Sequence, residues 1–190
     1  MSDVTEHQRF ILLDRDGVLN RWVPNDYVMS PNDLHLLPGA ADAVRDLNAA
    51  GYGVIVISNQ QCVGKGLLSL QQLAEISEDL RAKIREASGG QILDFFYCPH
   101  LKEEGCSCRK PLPGLIDQAR SKYGFDLSST ILVGDSFTDL AAAHAADCRS
   151  VLVLSGLARE PYLAGDRPAI EPEFVAADLA EATAHLIAKS

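Results

Sequence analysis

Short runs of branched apolar residues recur along the chain, and stretches with a helical pattern separate them. Strands that are buried on both faces have such continuous apolar runs, and intervening helices are typical of a parallel sheet. The pattern therefore predicts an α/β fold in which helices cover a parallel sheet. The runs are FILL at 10–13, VIVI at 54–57, ILDFFY around Ile92, ILV from Ile131 and VLVL from Val151.

Prolines, glycines and a serine mark where the helices are expected to begin. Pro38-Gly39 precedes one helical stretch, Ser69 is an N-cap candidate before the next, and Pro113 precedes a third. The segment from Arg159 to Glu173 contains three prolines and is expected to be irregular before a C-terminal helix. No repeat, linker or insertion large enough for a cap domain interrupts the pattern, so we expect a single domain over residues 1–190.

Composition and charge exclude several classes of partner. The chain has 190 residues, 47% of them hydrophobic, and a net charge of −9. Such a surface repels nucleic acid backbones and anionic membranes. The N-terminus is acidic and polar, and no apolar run approaches the roughly 18 residues that span a bilayer. We therefore expect a cytoplasmic protein that binds neither nucleic acid nor membrane and attracts an anionic ligand only locally. A monomer is expected as well, although the sequence carries no signal for the oligomeric state.

Polar side chains follow three of the apolar runs directly: Asp14, Ser58-Asn59 and Asp135. The carboxyl ends of parallel strands share one edge of the sheet, so these residues should meet in one crevice. Asp14 and Asp16 lie two residues apart and should share a side, where two carboxylates repel unless a cation such as Mg²⁺ lies between them. An Asp-Gly turn is the alternative, but the second acidic cluster, GDSFTD at 134–139, argues against it.

Taken together, the motifs resemble those of the haloacid dehalogenase (HAD) superfamily of phosphohydrolases. DxDGxxx from Asp14, Ser58-Asn59, Lys110-Pro111 and GDxxxD at 134–139 occur in the order typical of that superfamily. The resemblance implies a Rossmann-like fold with helices on both faces of the sheet. It also implies a magnesium cofactor and a two-step phosphoryl transfer through an aspartyl-phosphate.

The chemistry assigns a role to each acidic residue. Asp14 is the expected nucleophile, because magnesium would remove its repulsion from a phosphate dianion. Asp16 would protonate the leaving oxygen and then take a proton from water, while its backbone carbonyl binds magnesium. Asp135 would complete the magnesium ligands. Asp139 would lie behind them or merely cap the helix expected from about Phe137.

Three polar residues are expected to hold the transferred phosphate. Ser58 and Asn59 offer a hydroxyl, an amide and backbone N–H groups, although a plain Ser-Asn turn would look the same. Lys110 would supply a point charge for the phosphate oxygens in the transition state. A lysine is by default a surface residue, but the cysteine-rich segment before Lys110 should hold it in place.

That segment contains four potential zinc ligands: Cys98, His100, Cys106 and Cys108. One tetrahedral zinc ion would satisfy all four and leave no position for water, so its role would be structural. A pair of buried cysteines beside an unrelated histidine is the alternative, but the loop is too polar to bury thiols by itself. Cys62 and Cys148 lie outside the cluster and are interpreted as ordinary small residues.

The zinc loop narrows the resemblance to two groups of phosphatases within the superfamily. CRKPLPGLI at 108–116, VGKG at 63–66 and NDYV at 25–28 are similar to segments of heptose bisphosphate phosphatases. This resemblance implies a small sugar phosphate as substrate, D-glycero-D-manno-heptose 1,7-bisphosphate losing its 7-phosphate. Arg109 and Lys65 would then bind the phosphate that is not transferred.

Two features depart from the heptose pattern. Ser136 stands where those enzymes commonly have a lysine, and the short zinc loop is more typical of histidinol-phosphate phosphatases. Histidinol phosphate or another sugar phosphate is therefore the alternative substrate. A zinc-stabilised phosphosugar-binding module without catalysis is an alternative of another class, which the presence of both Asp14 and Asp16 disfavours.

Overall fold

In the computed structural model, which describes residues 9–23 and 26–189, six parallel strands form one sheet. The sheet order is β3-β2-β1-β4-β5-β6, the order of a doubly wound fold. The strands are β1 (Arg9–Leu13), β2 (Tyr52–Asn59), β3 (Asp94–Cys98), β4 (Ile131–Gly134), β5 (Arg149–Val153) and β6 (Phe174–Ala176). All five predicted strands are confirmed, and the three-residue β6 is an addition at the edge.

Six α-helices connect or follow these strands in the described part of the chain. They are α1 (Ala40–Ala49), α2 (Leu70–Ser88), α3 (Gly114–Tyr123), α4 (Phe137–Ala145), α5 (Arg159–Leu163) and α6 (Leu179–Ala188). Ser69 caps α2 with a capping box completed by Gln72, as its position predicted. The segment expected to be irregular contains α5, so that expectation was wrong for its first five residues.

Alternation along β1 divides the core between the two faces of the sheet. Ile11 and Leu13 pack with residues of α1, α2 and α6 on one face. Leu12 packs with residues of α3 and α4 on the other. Because the central strands β1, β2, β4 and β5 are covered on both sides, their apolar runs are nearly continuous, which explains why they were readable from the sequence.

The order in which strands are added to the sheet reverses between β1 and β4. These two strands are neighbours, with Ile11 paired to Ile131, although β2 and β3 come between them in sequence. A crevice opens beyond the carboxyl ends of strands at such a switch point. Asp14 follows β1 there, and its backbone N–H donates to the Val133 carbonyl at 3.0 Å. Among the described residues no insertion of cap-domain size covers this crevice, and no helix is long and apolar enough to cross a membrane.

Candidate active site

A cavity of about 730 Å³ lies beyond the carboxyl ends of β1, β2 and β4. It brings together seven of the residues predicted for magnesium and substrate, from four separate segments: Asp14, Asp16, Ser58, Asn59, Arg109, Lys110 and Asp135. Lys65 and Asp139, predicted for the same chemistry, lie outside this lining, whereas the predicted zinc ligand Cys106 lies in it. Ser136 lines the cavity as well, at the N-cap of α4.

Lys110 joins two of the acidic residues at the floor of the cavity. Its Nζ lies 3.0 Å from Asp14 Oδ2 and 2.6 Å from Asp139 Oδ1, and it donates to the Ile57 carbonyl at 3.1 Å. Burial alone would lower the pKa of this amine, but the carboxylates of Asp139 and Asp14 outweigh it and hold the pKa above its ordinary value. Lys110 is therefore a buried, fully charged cation.

Asp14 is buried where charge is hard to solvate. Burial raises its pKa to about 6, against the lowering effect of Lys110 and of a hydrogen bond from Ser58, while the carboxylate of Asp139 adds to the rise. A carboxylate that is poorly solvated by water is more available to attack an electrophile. The environment of Asp14 thus suits a nucleophile.

Asp14, Asp135 and Asp139 form a compact group of buried carboxylates. One oxygen from each lies within 4.8 Å of the others, a spacing at which they could hold a metal ion. Burial, followed by the charges of Asp14 and Asp139, raises the pKa of Asp135 well above its ordinary value. The single cation of Lys110 compensates only part of this negative charge, so a divalent cation fits the site.

Two glycines make room for the Asp135 carboxylate. A Cβ at Gly17 would lie 2.2 Å from Asp135 Oδ2, and one at Gly156 would lie 2.0 Å from the same atom. Gly17 also has a φ of +85°, where side chains are strained. The Leu157 N–H donates to Asp135 Oδ2 at 2.7 Å. These contacts, which the sequence did not reveal for Gly156 or Leu157, fix the carboxylate in one orientation.

Asp139 contacts both the start of α4 and Lys110, whereas the sequence suggested only a place behind the magnesium ligands or a helix cap. Its Oδ2 accepts hydrogen bonds from the backbone N–H of Ser136 at 3.0 Å and from the Ser136 hydroxyl at 2.6 Å. It therefore caps α4, one of the two roles expected for it. The ion pair with Lys110 adds a second role that the sequence pattern did not contain.

The side chain of Asp16 lies apart from the carboxylate group and is surrounded by donors. Arg15, Asn20 and Gln60 all donate to its oxygens. Burial would raise the pKa of Asp16, but the Arg15 guanidinium and these hydrogen bonds lower it below its ordinary value. Sequence reasoning missed all three donors. The only available signal was the arginine between two aspartates.

Ser58 and Asn59 end β2 at the cavity but differ in their contacts. The Ser58 hydroxyl accepts from Gln60 Nε2 at 3.2 Å and hydrogen-bonds Asp14. The Asn59 amide instead pairs with the backbone of Lys110, donating to its carbonyl and accepting from its N–H, both at 3.0 Å. In this structure the Asn59 side chain therefore positions Lys110.

The four cysteine and histidine side chains of the predicted zinc loop converge. Their ligand atoms all lie within 4.8 Å of one another, with His100 presenting Nδ1 3.2 Å from Cys108 Sγ. The three sulfur atoms are 3.3–3.6 Å apart, and all three cysteines are free thiols. A tetrahedral zinc ion holds its sulfur ligands about 3.8 Å apart, from Zn–S distances of about 2.3 Å. The sulfur atoms would need to move apart by only a few tenths of an ångström to hold zinc.

Arg109 and Lys65 belong to one chain of hydrogen bonds at the mouth of the cavity. Arg109 donates to the His100 carbonyl at 3.3 Å and to Gln61 Oε1 at 3.4 Å. Gln61 and Lys65 each donate to the hydroxyl of Tyr27 at 2.9 Å. Tyr27 and Gln61 line the cavity, so Lys65 reaches it only through the phenol. Asn25, from the NDYV segment, lies outside the described residues.

The chain is similar in sequence to known phosphatases. A HAD-hydrolase-like family model matches residues 107–182. D-glycero-beta-D-manno-heptose-1,7-bisphosphate 7-phosphatase of Pseudomonas aeruginosa is 40% identical over 77% of this chain and 81% of its own length. The chain belongs to the HAD-like phosphatases. A 7-phosphatase named for the alpha anomer, from Mycobacterium bovis, is 42% identical over 77% of this chain and 80% of its own.

A solved HAD-like structure is similar over almost the whole chain. It is the D,D-heptose 1,7-bisphosphate phosphatase from B. bronchiseptica, complexed with magnesium and phosphate. Its TM-score is 0.88 with 34% sequence identity, and the match covers 96% of this chain and 100% of that one. The expected HAD-like fold is thereby confirmed.

Zinc content gives a direct test of the cysteine cluster in this HAD-like phosphatase. The purified protein should contain about one zinc ion per chain, and Cys106→Ser should lose most of it. Because loss of a structural metal typically costs more than about 4 kcal/mol, Tm should fall by about 10 °C. Metal analysis and differential scanning calorimetry measure both effects.

Cys148→Ser is the matched control, since Cys148 is a half-buried thiol outside the cluster. It should keep its zinc. A Cys106→Ser protein with full zinc content and an unchanged Tm would mean that the four side chains do not form a zinc site.

Proposed function

We propose that this chain hydrolyses a phosphate ester of a small sugar, D-glycero-D-manno-heptose 1,7-bisphosphate, and releases the 7-phosphate. The observation that carries the proposal is the buried Asp14 carboxylate at the cavity floor, 3.0 Å from Lys110 and grouped with two more carboxylates. Relatives named as heptose bisphosphate 7-phosphatases, 36–42% identical, support the choice of substrate.

Magnesium is the cofactor that fits the carboxylate group. Asp14 and Asp135 would hold it with their side chains, and Asp16 would hold it with its backbone carbonyl. When bound, magnesium would neutralise charge on the transferred phosphate. Asp139 already caps α4 and pairs with Lys110, so it would lie behind the direct ligands.

In the first step, an oxygen of Asp14 forms a bond to phosphorus as the ester P–O bond breaks. Lys110 and the Ser58 hydroxyl lie beside Asp14, where they would donate to the phosphate oxygens. Asp16 gives its proton to the departing sugar oxygen, so the sugar leaves as an alcohol. The product on the enzyme is an aspartyl-phosphate at Asp14.

In the second step, the ionised Asp16 takes a proton from water, and the resulting hydroxide attacks phosphorus. The bond to Asp14 breaks, and inorganic phosphate leaves. The low pKa of Asp16 in the structure corresponds to this ionised form. The substrate must therefore loosen the contacts around Asp16 before the first step, because an acid has to carry a proton.

The reaction is proposed to occur in the cytoplasm on a monomeric protein. A reducing compartment keeps thiols free to bind zinc, and the three clustered cysteines are free thiols. All the residues that we assign to the reaction belong to one chain and line or adjoin one cavity.

Magnesium should stabilise the protein, and more so at pH 8 than at pH 5. The pKa of Asp14 in the folded protein is about 6, above its ordinary value of 3.8, so its contribution to stability falls as pH rises through this window. Above pH 6 the ionised carboxylates repel each other, and bound magnesium relieves that repulsion. At pH 8 and about 100 times Kd, Tm should rise by about 5–10 °C.

The thermal shift is measured on zinc-loaded protein with potassium chloride at matched ionic strength. Asp135→Asn, which removes one carboxylate of the group, should lose most of the shift. An equal shift at both pH values, or an undiminished shift in Asp135→Asn, would place magnesium elsewhere.

Arg109 should matter for the phosphate that is not transferred. Arg109→Ala should lower kcat/KM for the bisphosphate by about 2 kcal/mol, or roughly 30-fold, the scale of a charge-assisted hydrogen bond. Hydrolysis of p-nitrophenyl phosphate, which has no second phosphate, should fall much less. Arg120→Ala removes an exposed arginine of α3 as a control for charge. Equal losses on both esters would place Arg109 at the transferred phosphate.

A panel of phosphate esters tests the proposed function as a whole. It contains both anomers of heptose 1,7-bisphosphate, since relatives are named for each, together with histidinol phosphate and simple hexose phosphates. With magnesium and zinc present, kcat/KM should be highest for a heptose bisphosphate. A preference for histidinol phosphate would change the substrate, whereas no phosphate release from any ester would indicate a binding module without catalysis.

A further inference from the structure

The Asp16 carboxylate is held by donors of two different origins. Arg15 Nη2 lies 2.9 Å from Oδ2, and Asn20 Nδ2 lies 2.8 Å from Oδ1. Both residues belong to the loop that carries Asp16 itself. Gln60 follows β2, 44 positions further along the chain, and its Nε2 donates to Asp16 Oδ2 at 2.8 Å. In the described part of the chain, only Gln60 ties this carboxylate to another element.

The orientation of the Gln60 amide follows from its two partners. Its Oε1 accepts from Arg15 Nη2 at 3.1 Å, and a guanidinium can only donate. Its Nε2 must therefore face Asp16, and the same nitrogen lies 3.2 Å from the Ser58 hydroxyl. A reversed amide would lose both charge-assisted contacts.

The backbone of Gln60 is equally constrained. Its N–H donates to the Cys98 carbonyl at 2.8 Å, at the start of the zinc loop. The side chain is 2% exposed although it borders the cavity. The Gln60 amide is buried, and both its oxygen and its nitrogen have hydrogen-bond partners. It therefore has little freedom to move and can hold Asp16 at a defined distance.

We propose that Gln60 is a positioning residue that holds Asp16 at a set distance from Ser58 and hence from the transferred phosphate. Arg15 and Asn20 lie on the same loop as Asp16, so their contacts with it do not by themselves set its position relative to Ser58. Gln60 contacts both Asp16 and Ser58 with one nitrogen. This role rests on the proposed function, because it requires Asp16 to protonate a leaving group.

If Gln60 positions Asp16, its loss should reduce kcat/KM most for esters whose leaving group needs a proton. Gln60→Leu keeps a similar side-chain volume but removes the hydrogen bonds of the amide to Asp16, Ser58 and Arg15. Displacing a catalytic group by about 1 Å can cost up to about 100-fold. We expect kcat/KM for phenyl phosphate, whose phenolate needs a proton, to fall by about 10-fold or more. For p-nitrophenyl phosphate, whose leaving group departs without one, the fall should be under about 3-fold.

The same change in an Asp16→Asn background shows whether Gln60 acts through Asp16. If it does, Gln60→Leu should have almost no further effect on kcat/KM for phenyl phosphate. Gln71→Leu, the same change on an exposed position of α2, should leave both esters unaffected. Should Gln60→Leu fail to fold, Gln60→Asn keeps a neutral amide but is one methylene too short to reach Asp16, and it should show the same selectivity.

Several results would overturn this role. Equal losses on the two esters would make Gln60 part of the phosphate-binding turn, and unchanged kinetics would make it a bystander. A full additional loss in the Asp16→Asn background would also exclude action through Asp16. Wild-type protein that hydrolyses neither ester would contradict the proposed function instead, before any Gln60 variant is compared.

Discussion

Asp14→Asn should abolish turnover and leave the protein folded. An amide cannot form the phosphoryl bond that the carboxylate forms, and removal of a nucleophile typically costs at least about 10⁴-fold in kcat. The substitution replaces a buried carboxylate whose pKa is raised to about 6 with a neutral group of the same shape. Phosphate release, together with labelling of the chain by ³²P-phosphoester, measures the loss directly.

Stability separates lost chemistry from lost structure in that experiment. Without magnesium, Asp14→Asn should have a Tm equal to or above that of the wild type, because it relieves repulsion from Asp135 and Asp139. Asp42→Asn, at an exposed position of α1, is the matched control and should keep full turnover. Residual Asp14→Asn activity within about 10-fold of wild type would assign the nucleophile to another group.

Lys110→Met should have the second largest effect, and it should lower both the stability of the protein and its turnover. Removing one partner of a buried ion pair leaves uncompensated charge and costs about 3–5 kcal/mol. Turnover should fall by about 10³-fold, the scale of a lost oxyanion donor. The pKa of Asp14 would also rise above about 6, because Lys110 is the main influence that lowers it. More of the nucleophile would then be protonated at neutral pH.

Magnesium distinguishes these two consequences of Lys110→Met. It should restore part of the lost stability, since it also neutralises the carboxylates, but it should not restore turnover. Lys122→Met removes an exposed lysine of α3 as a control and should change neither property strongly. A Lys110→Met protein with wild-type turnover would remove Lys110 from the reaction, and one with unchanged Tm would mean that the carboxylates are already protonated.

The fold and the meeting of the site residues could be predicted from local patterns. The central strands are buried on both faces, so they appear as apolar runs, and Asp14, Ser58 and Asp135 follow such runs. The sequence alone therefore places Asp14, Ser58 and Asp135 at one edge of the sheet. β6 escaped prediction because three half-buried residues at the sheet edge carry almost no pattern.

Side-chain direction was much harder to predict than position. Asn59 lies at the predicted edge, yet its amide faces the Lys110 backbone. Lys65 lies near the cavity, yet its amine contacts Tyr27. Gln60 was given no role, because glutamine has no characteristic spacing and its contacts with Arg15 and Asp16 exist only after β1 and β2 pair. Such contacts depend on rotamers, which one sequence does not specify.

The central position of β1 between β2 and β4 has a consequence for synthesis of the protein. β1 can pair with β2 soon after both are made, but its other neighbour, β4, follows roughly 120 residues after it. Contacts of such long range form late and slow folding. A nascent chain that ends before β4 carries Asp14 but not Asp135, so it has the proposed nucleophile without the complete acidic group. If Asp135 is needed as proposed, activity has to wait until β4 and the residue after it have left the ribosome.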